Sequence, residues 1–125
     1  MNILIIGLGV IGTTYGYLFQ KANHNVEHYI RKDSPNNFVS ELDIQLLDGR
    51  IDPKGVLITD RYRVNHCKNK QYDIIFVSVP SGGIERVIKC LKNDKITGTI
   101  ILCCGIWEDK NYFNNWTYCF RQNKP

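Results

Sequence analysis

Three glycines near the start of the chain, Gly7, Gly9 and Gly12, stand in the spacing GxGxxG directly behind the apolar run Ile3-Leu4-Ile5-Ile6. Such a pattern suits the grip of a dinucleotide pyrophosphate by backbone alone. Gly7 lets the chain turn sharply at a strand end, Gly9 lets backbone approach a phosphate, and Gly12 lets the next helix pack closely on the strand. Leu8, Val10 and Ile11 fill the remaining positions of the loop and first helical turn. Free N–H groups there, with the positive end of the helix dipole, bind an anion without a charged side chain.

The second informative position is the end of the next strand, read over 26–30. Dinucleotide domains that prefer NAD place an acid there, about 20 residues past the glycines, to accept hydrogen bonds from the free ribose hydroxyl. This chain has Arg31 at that distance, followed by Lys32 and Asp33. A guanidinium grips a phosphate in a bidentate fork, so the position predicts NADP(H) rather than NAD. Two other readings stay open: a slight shift of the strand end brings Asp33 to the ribose, or Arg31 and Lys32 are merely solvated.

Short glycine patterns also occur in turns that bind nothing, so the flanking elements must decide. Ile3 to Ile6 has the unbroken aliphatic character of a strand covered on both faces. Val10, Ile11, Thr14, Tyr15, Leu18, Phe19 and Ala22 fall on one helical face, and Asn23 suits a left-handed residue closing that helix. Glu41 to Leu47 and Val56 to Thr59 read as two strands around the turn-forming Asp48-Gly49 and Pro53-Lys54-Gly55, an extra hairpin on the sheet edge. Tyr72 to Val79 is a further buried parallel strand ending at Pro80. Ile84, Val87, Ile88 and Leu91 repeat at helical spacing, Thr99 to Cys104 forms another strand, and a sixth begins at Thr117 to Phe120.

These elements predict an α/β fold: a single Rossmann-like, doubly wound domain over 1–125 with a mostly parallel sheet. Ligands of such sheets lie at the carboxyl ends of the strands. Residues 78–82, with Val79 and Pro80, and 104–106, with Gly105, are therefore expected to face the nicotinamide half.

Hydrophobic content of 43% against 22% charged describes a globular chain rather than a disordered one. The net charge of +4 is thinly spread, and its densest stretch, Arg61, Arg63, Lys68 and Lys70, lacks the interleaved aromatics of a nucleic-acid site and reads as solvated surface. No apolar run reaches the roughly 20 residues that span a bilayer, and no signal peptide is evident, so a cytoplasmic location and no membrane partner are expected. Five cysteines, without CxxC spacing, read as buried free thiols. His24, His28 and His66 show no spacing that gathers a metal.

From Met1 to about Trp107 the chain resembles the N-terminal domain of the ketopantoate reductases, the NADPH-dependent 2-dehydropantoate 2-reductases. The likeness rests on GLGVIGTTYGYLFQKANHNVEHYIR, including Tyr15-Gly16 and Arg31, then on YDIIFVSV and TIILCCGIW at matching intervals. It implies that Gly7, Gly9 and Gly12 hold the cofactor pyrophosphate and that Arg31 holds the 2′-phosphate. It also implies hydride transfer between NADPH and a small 2-oxo acid, with a helical C-terminal domain supplying a catalytic lysine and acid. That domain is expected to be absent from this chain, so no catalytic residue is assigned and the chain alone is expected to be inactive. The family's usual lysine past the fourth parallel strand is replaced by Pro80, and its Asn-Gly after the next strand by Cys104-Gly105. Ser78-Val79-Pro80 is also similar to prephenate dehydrogenases.

Two function classes follow. One is the cofactor-binding part of a reductase, completed by a helical domain. The other is a nucleotide-binding or regulatory module without chemistry. The aromatics Trp107, Tyr112, Phe113, Trp116, Tyr118 and Phe120 crowd the end of the chain and are expected either to cap the sheet edge or to form a homodimer contact.

Overall fold

A computed structural model of the chain describes residues 1–104 and 118–120. Five parallel strands form the central sheet: β1 (Asn2–Ile6), β2 (Asn25–Tyr29), β5 (Gln71–Val77), β6 (Thr97–Leu102) and β7 (Tyr118–Phe120), in the order β2-β1-β5-β6-β7. Among the described residues the α-helices are α1 (Val10–Lys21) and α2 (Ile84–Asn93). The antiparallel pair β3 (Glu41–Asp48) and β4 (Val56–Arg63) makes up a separate two-stranded sheet.

The side-chain alternation of β1 explains the layering. Ile3 and Ile5 meet Val26 and Phe76, with Phe19 of α1 packed against them. Leu4 and Ile6 face the other way and join Ile75, Val77, Ile100 and Leu102 under Ile84, Ile88 and Leu91 of α2. Ile3, Leu4 and Ile5 are fully buried; each such side chain contributes about 1.5–3 kcal/mol. One helix on each face is the doubly wound arrangement that the alternating pattern predicts.

The hairpin lies beside β2 rather than within the central sheet. The segment that follows it, however, does pair with β2: His28 N–H donates to Asn65 O at 2.7 Å and Cys67 N–H to His28 O at 2.9 Å, a parallel bridge between His28 and His66. Residues 65–67 thus stand where the third strand of a doubly wound dinucleotide domain stands, and the sheet positions read third, second, first, fourth, fifth, sixth. Sequence ends β4 at Thr59, but the strand runs to Arg63 because Tyr62 is drawn fully into the core.

A buried acid holds that third position. The Glu27 carboxylate accepts from Lys68 N–H (2.8 Å), Asn69 N–H (3.3 Å), Asn69 Nδ2 (2.8 Å) and Tyr72 Oη (2.6 Å). Burial pushes its pKa up, yet the hydrogen bonds from Tyr72, Lys68 and Asn69 outweigh burial and hold it below the ordinary value. The folded protein therefore binds this proton less readily than the unfolded chain. The stabilisation is complete above the unfolded carboxylate range and disappears as pH falls through and below it. Asp60, held at about 2 chiefly by Lys21 and Tyr17, acts in the same direction. Glu27→Gln is expected to cost on the order of 2 kcal/mol at neutral pH, because an amide cannot accept from all four donors. It should also flatten the loss of stability between about pH 5 and 3 in urea melts; a variant with the wild-type pH profile would refute this role.

Helix α1 departs from the expected face. Its buried residues are Gly12, Gly16 and Tyr17, while Val10 is 85% exposed and Ile11, Tyr15 and Leu18 are also exposed. The glycines let the helix lie almost on the strand, so the glycine edge turns inward and the larger apolar residues flank the contact. Tyr15 still stacks on Phe76, with ring centroids 4.9 Å apart. The left-handed closure at Asn23 is present, with φ 61°, and its N–H bonds Gln20 O while His24 N–H bonds Phe19 O.

Cys67, Cys90, Cys103 and Cys104 are free thiols: Cys67, Cys90 and Cys104 are half-buried, but Cys103 is exposed where it leaves β6. Arg61, Arg63, Lys68 and Lys70 are exposed, as a solvated surface requires. No helix among the described residues is long and apolar enough to cross a membrane. Trp107, Tyr112, Phe113 and Trp116, and with them the question of capping or dimer contact, lie outside the described residues, as do Gly105 and Ile106.

Candidate functional site

The strand register brings the expected site residues to one edge. Ile6 pairs with Tyr29 on one side and with Val77 on the other, and Val77 pairs with Leu102. Gly7, Arg31 and Lys32, Ser78 to Pro80, and Cys103 and Cys104 all follow these strand ends, so they emerge together along the carboxyl edge. Connections leave β1 toward β2 and β5 toward β6 in opposite directions, which puts the crevice of such a sheet between β1 and β5.

The glycine loop sits at this crevice. Gly7 has φ +83°, a left-handed conformation in which a side chain is strained. Gly9 is the N-cap of α1 with ordinary extended backbone, and among the described residues no atom beyond its own chain neighbours lies within 4 Å of where its Cβ would be. Its usefulness is therefore open approach from outside rather than an unusual φ. At Gly12 a Cβ would lie 3.0 Å from Ile5 Cγ2 and 3.4 Å from Ser78 Oγ, so this glycine sets the close contact of helix, β1 and the segment after β5. The first intrahelical bond is Thr13 N–H to Gly9 O, at 2.8 Å. Val10, Ile11 and Gly12 consequently present their N–H groups without helical partners, the arrangement that receives an anion. Leu8 points down instead, against Tyr17, Tyr62 and Val64.

Arg31 and Lys32 lie just past β2, both exposed. The Arg31 side chain is half exposed and its Nε lies 3.7 Å from Asp33 Oδ1, a loose pair in solvent. Both rivals for the ribose position thus occupy one corner, with the guanidinium accessible to a ligand. On the other side of the crevice Ser78 and Val79 are half-buried and Pro80 is exposed. Between Ser78 and Gly83, and at Cys103 and Cys104, the chain carries no lysine and no carboxylate. A polar depression lined by Asn2, Gln71, Tyr72, Asp73 and Thr97 lies at the opposite, amino edge, where open parallel sheets do not hold ligands.

Residues 3–105 match the family described as Ketopantoate reductase PanE/ApbA. The chain belongs to the ketopantoate reductase family. Its fold is similar to a dimeric ketopantoate reductase from Staphylococcus aureus, with a TM-score of 0.58 and 17% identity over 94% of this chain and 38% of that one. It is also similar to a 2-dehydropantoate 2-reductase from Methylococcus capsulatus, with a TM-score of 0.54 and 22% identity over 90% of this chain and 36% of that one. The chain spans less than two-fifths of the length of either ketopantoate reductase. No curated protein matches it.

Two residues of the site escape sequence reasoning. Gly16 appears only as part of a family likeness, yet a Cβ there would lie 2.3 Å from Tyr62 Oη. His28, weighed only as a metal ligand, is fully buried beneath the glycine loop. Neither carries a local signal, because each is defined by Tyr62, far along the chain from both.

Proposed function

We propose that this chain binds NADP(H) along its carboxyl edge as the cofactor domain of a ketopantoate-reductase-like oxidoreductase. The observation that carries the reading is the loop 7–12, where a left-handed Gly7, an unobstructed Gly9 and three unpartnered helical N–H groups converge on the crevice between β1 and β5. Gly7 to Gly12 would hold the pyrophosphate through backbone, and Arg31 with Lys32 the 2′-phosphate. Val79, Pro80 and Gly105 would border the nicotinamide. Bound there, the nicotinamide supplies hydride for a carbonyl carbon, and a small 2-oxo acid, 2-dehydropantoate by family, is the substrate class.

The chain's own contribution is binding and orientation. Pro80 offers no N–H and the Cys104 side chain only a weak thiol donor, so neither side chain supplies the ammonium or amide contact that would anchor an oxo acid. The proton donor is then drawn from elsewhere, and a helical second domain or a partner copy is the source this reading favours. These same two residues favour a second reading, a nucleotide-binding module without chemistry.

A calorimetric titration of the chain with NADPH and NADH tests the assignment: measurable binding is expected, tighter for NADPH. Absence of binding by either nucleotide would contradict it. Turnover of a 2-oxo acid by this chain alone would remove the module without chemistry.

A further inference from the structure

The imidazole of His28 joins the glycine loop to the hairpin. Its Nδ1 lies 2.7 Å from Gly7 O and its Nε2 2.5 Å from Tyr62 Oη. A carbonyl oxygen only accepts, so Nδ1 carries the proton and donates to Gly7. Nε2 then accepts from the Tyr62 hydroxyl, which fixes the tautomer. His28 and Tyr62 are both fully buried. Burial keeps the imidazole neutral, shifting its pKa below the ordinary value against the pull of the Gly7 carbonyl, with His66 adding to the depression.

Gly7 is held at both of its polar atoms by β2. Its N–H donates to Tyr29 O at 2.9 Å, and its carbonyl accepts from His28. In a trans peptide the carbonyl of Gly7 and the N–H of Leu8 point in opposite directions within one plane, so fixing the first fixes the second. Gly7 sits at φ +83° with no side chain to restrain the peptide plane that follows it, so hydrogen bonds must do so. Tyr62 is in turn wedged between His28 and Gly16 of α1, so the hairpin sets the imidazole and the helix capped by Gly9 together.

We propose that His28, braced by Tyr62, is the positioning residue that orients the first peptide of the glycine loop for a dinucleotide pyrophosphate. This deepens the cofactor reading above and rests on it. His28 touches no ligand; it acts through Gly7.

The test compares NADPH with 2′-AMP, which carries the 2′-phosphate and ribose but no pyrophosphate, on the wild-type chain and three variants. His28→Leu should weaken NADPH about tenfold or more, the cost of losing one buried donor to a loop carbonyl. His28→Asn should stay within about threefold of wild type, because its amide reaches the place of Nδ1 and restores the donor. Tyr62→Phe keeps the packing and removes only the brace, and should weaken NADPH about threefold. In every variant 2′-AMP binding should remain unchanged.

Wild-type binding of NADPH together with undiminished binding by His28→Leu would overturn the positioning role and leave the cofactor reading standing. Equal loss of NADPH and 2′-AMP, or a His28→Asn variant as weak as His28→Leu, would overturn it as well, by showing a general structural role. Should His28→Leu fail to fold, the other two variants decide: wild-type NADPH affinity in Tyr62→Phe, or a weak His28→Asn, overturns the role. A wild-type chain that binds neither ligand would overturn the cofactor reading and this inference together.

Discussion

Arg31→Ala is expected to raise the NADPH dissociation constant by about 10- to 100-fold, the range set by losing a charge-assisted bidentate contact to a phosphate. NADH binding should not change, because the guanidinium has no comparable partner on a ribose hydroxyl. The half-exposed side chain, tied only loosely to Asp33, spends little to reorient toward a ligand. Arg31→Lys should fall between the two, since a lysine keeps the charge but not the planar fork. Calorimetric titration of the variants checks both statements. An unchanged NADPH affinity in Arg31→Ala would assign the ribose corner to Asp33 or to neither residue.

The largest expected effect on stability is at Gly16. A single added methyl would sit 2.3 Å from Tyr62 Oη and 3.0 Å from Ile5 Cδ1. Tyr62 cannot swing aside cheaply, because it is fully buried and its hydroxyl bonds His28. Overpacking of this kind costs about 1–3 kcal/mol, and here the upper end applies since the His28 bond is displaced as well. Glycine in mid-helix is itself unfavourable by about 1 kcal/mol relative to alanine, so an open site would reward the substitution. The sign of the measured change therefore separates the two cases. Urea unfolding of Gly16→Ala should show a lowered midpoint. Gly12→Ala should be milder, because its nearest neighbour is a single methyl at 3.0 Å.

The parts of the fold legible in the sequence are those fixed by short-range rules. The aliphatic run 3–6, the glycine spacing, the left-handed Asn23 and the repeat of Ile84, Ile88 and Leu91 each carry their own local physics. They place β1, the loop, the end of α1 and the buried face of α2 correctly. The inward face of α1 was not legible, because two small residues and one tyrosine outcompete a more apolar stripe once Tyr62 and Ile5 are in place. The third sheet position was hidden for a similar reason: Asn65 to Cys67 has no strand-like pattern and is recruited by Glu27 and the backbone of His28. At the candidate site, the placement of the loop and of Arg31 on the carboxyl edge was legible from spacing. The buttress beneath the loop was not, being made by residues brought together only by the hairpin.

In the proposed reading this edge holds the cofactor, while the side chains of Pro80 and Cys104 add neither an ammonium nor an amide to it. Binding that resides in loop 7–12 and the Arg31 corner must be felt by the backbone of those residues. The most direct test is an amide NMR titration of the labelled chain with NADPH. Resonances of Gly7 to Gly12, Arg31, Lys32, Ser78 and Val79 should shift, with the N–H groups of Val10, Ile11 and Gly12 moving most, while those of the hairpin tip around Gly49 to Gly55 and of the amino edge at Gln71 to Asp73 stay in place. Shifts confined to the amino edge, or scattered without the glycine loop, would contradict the account.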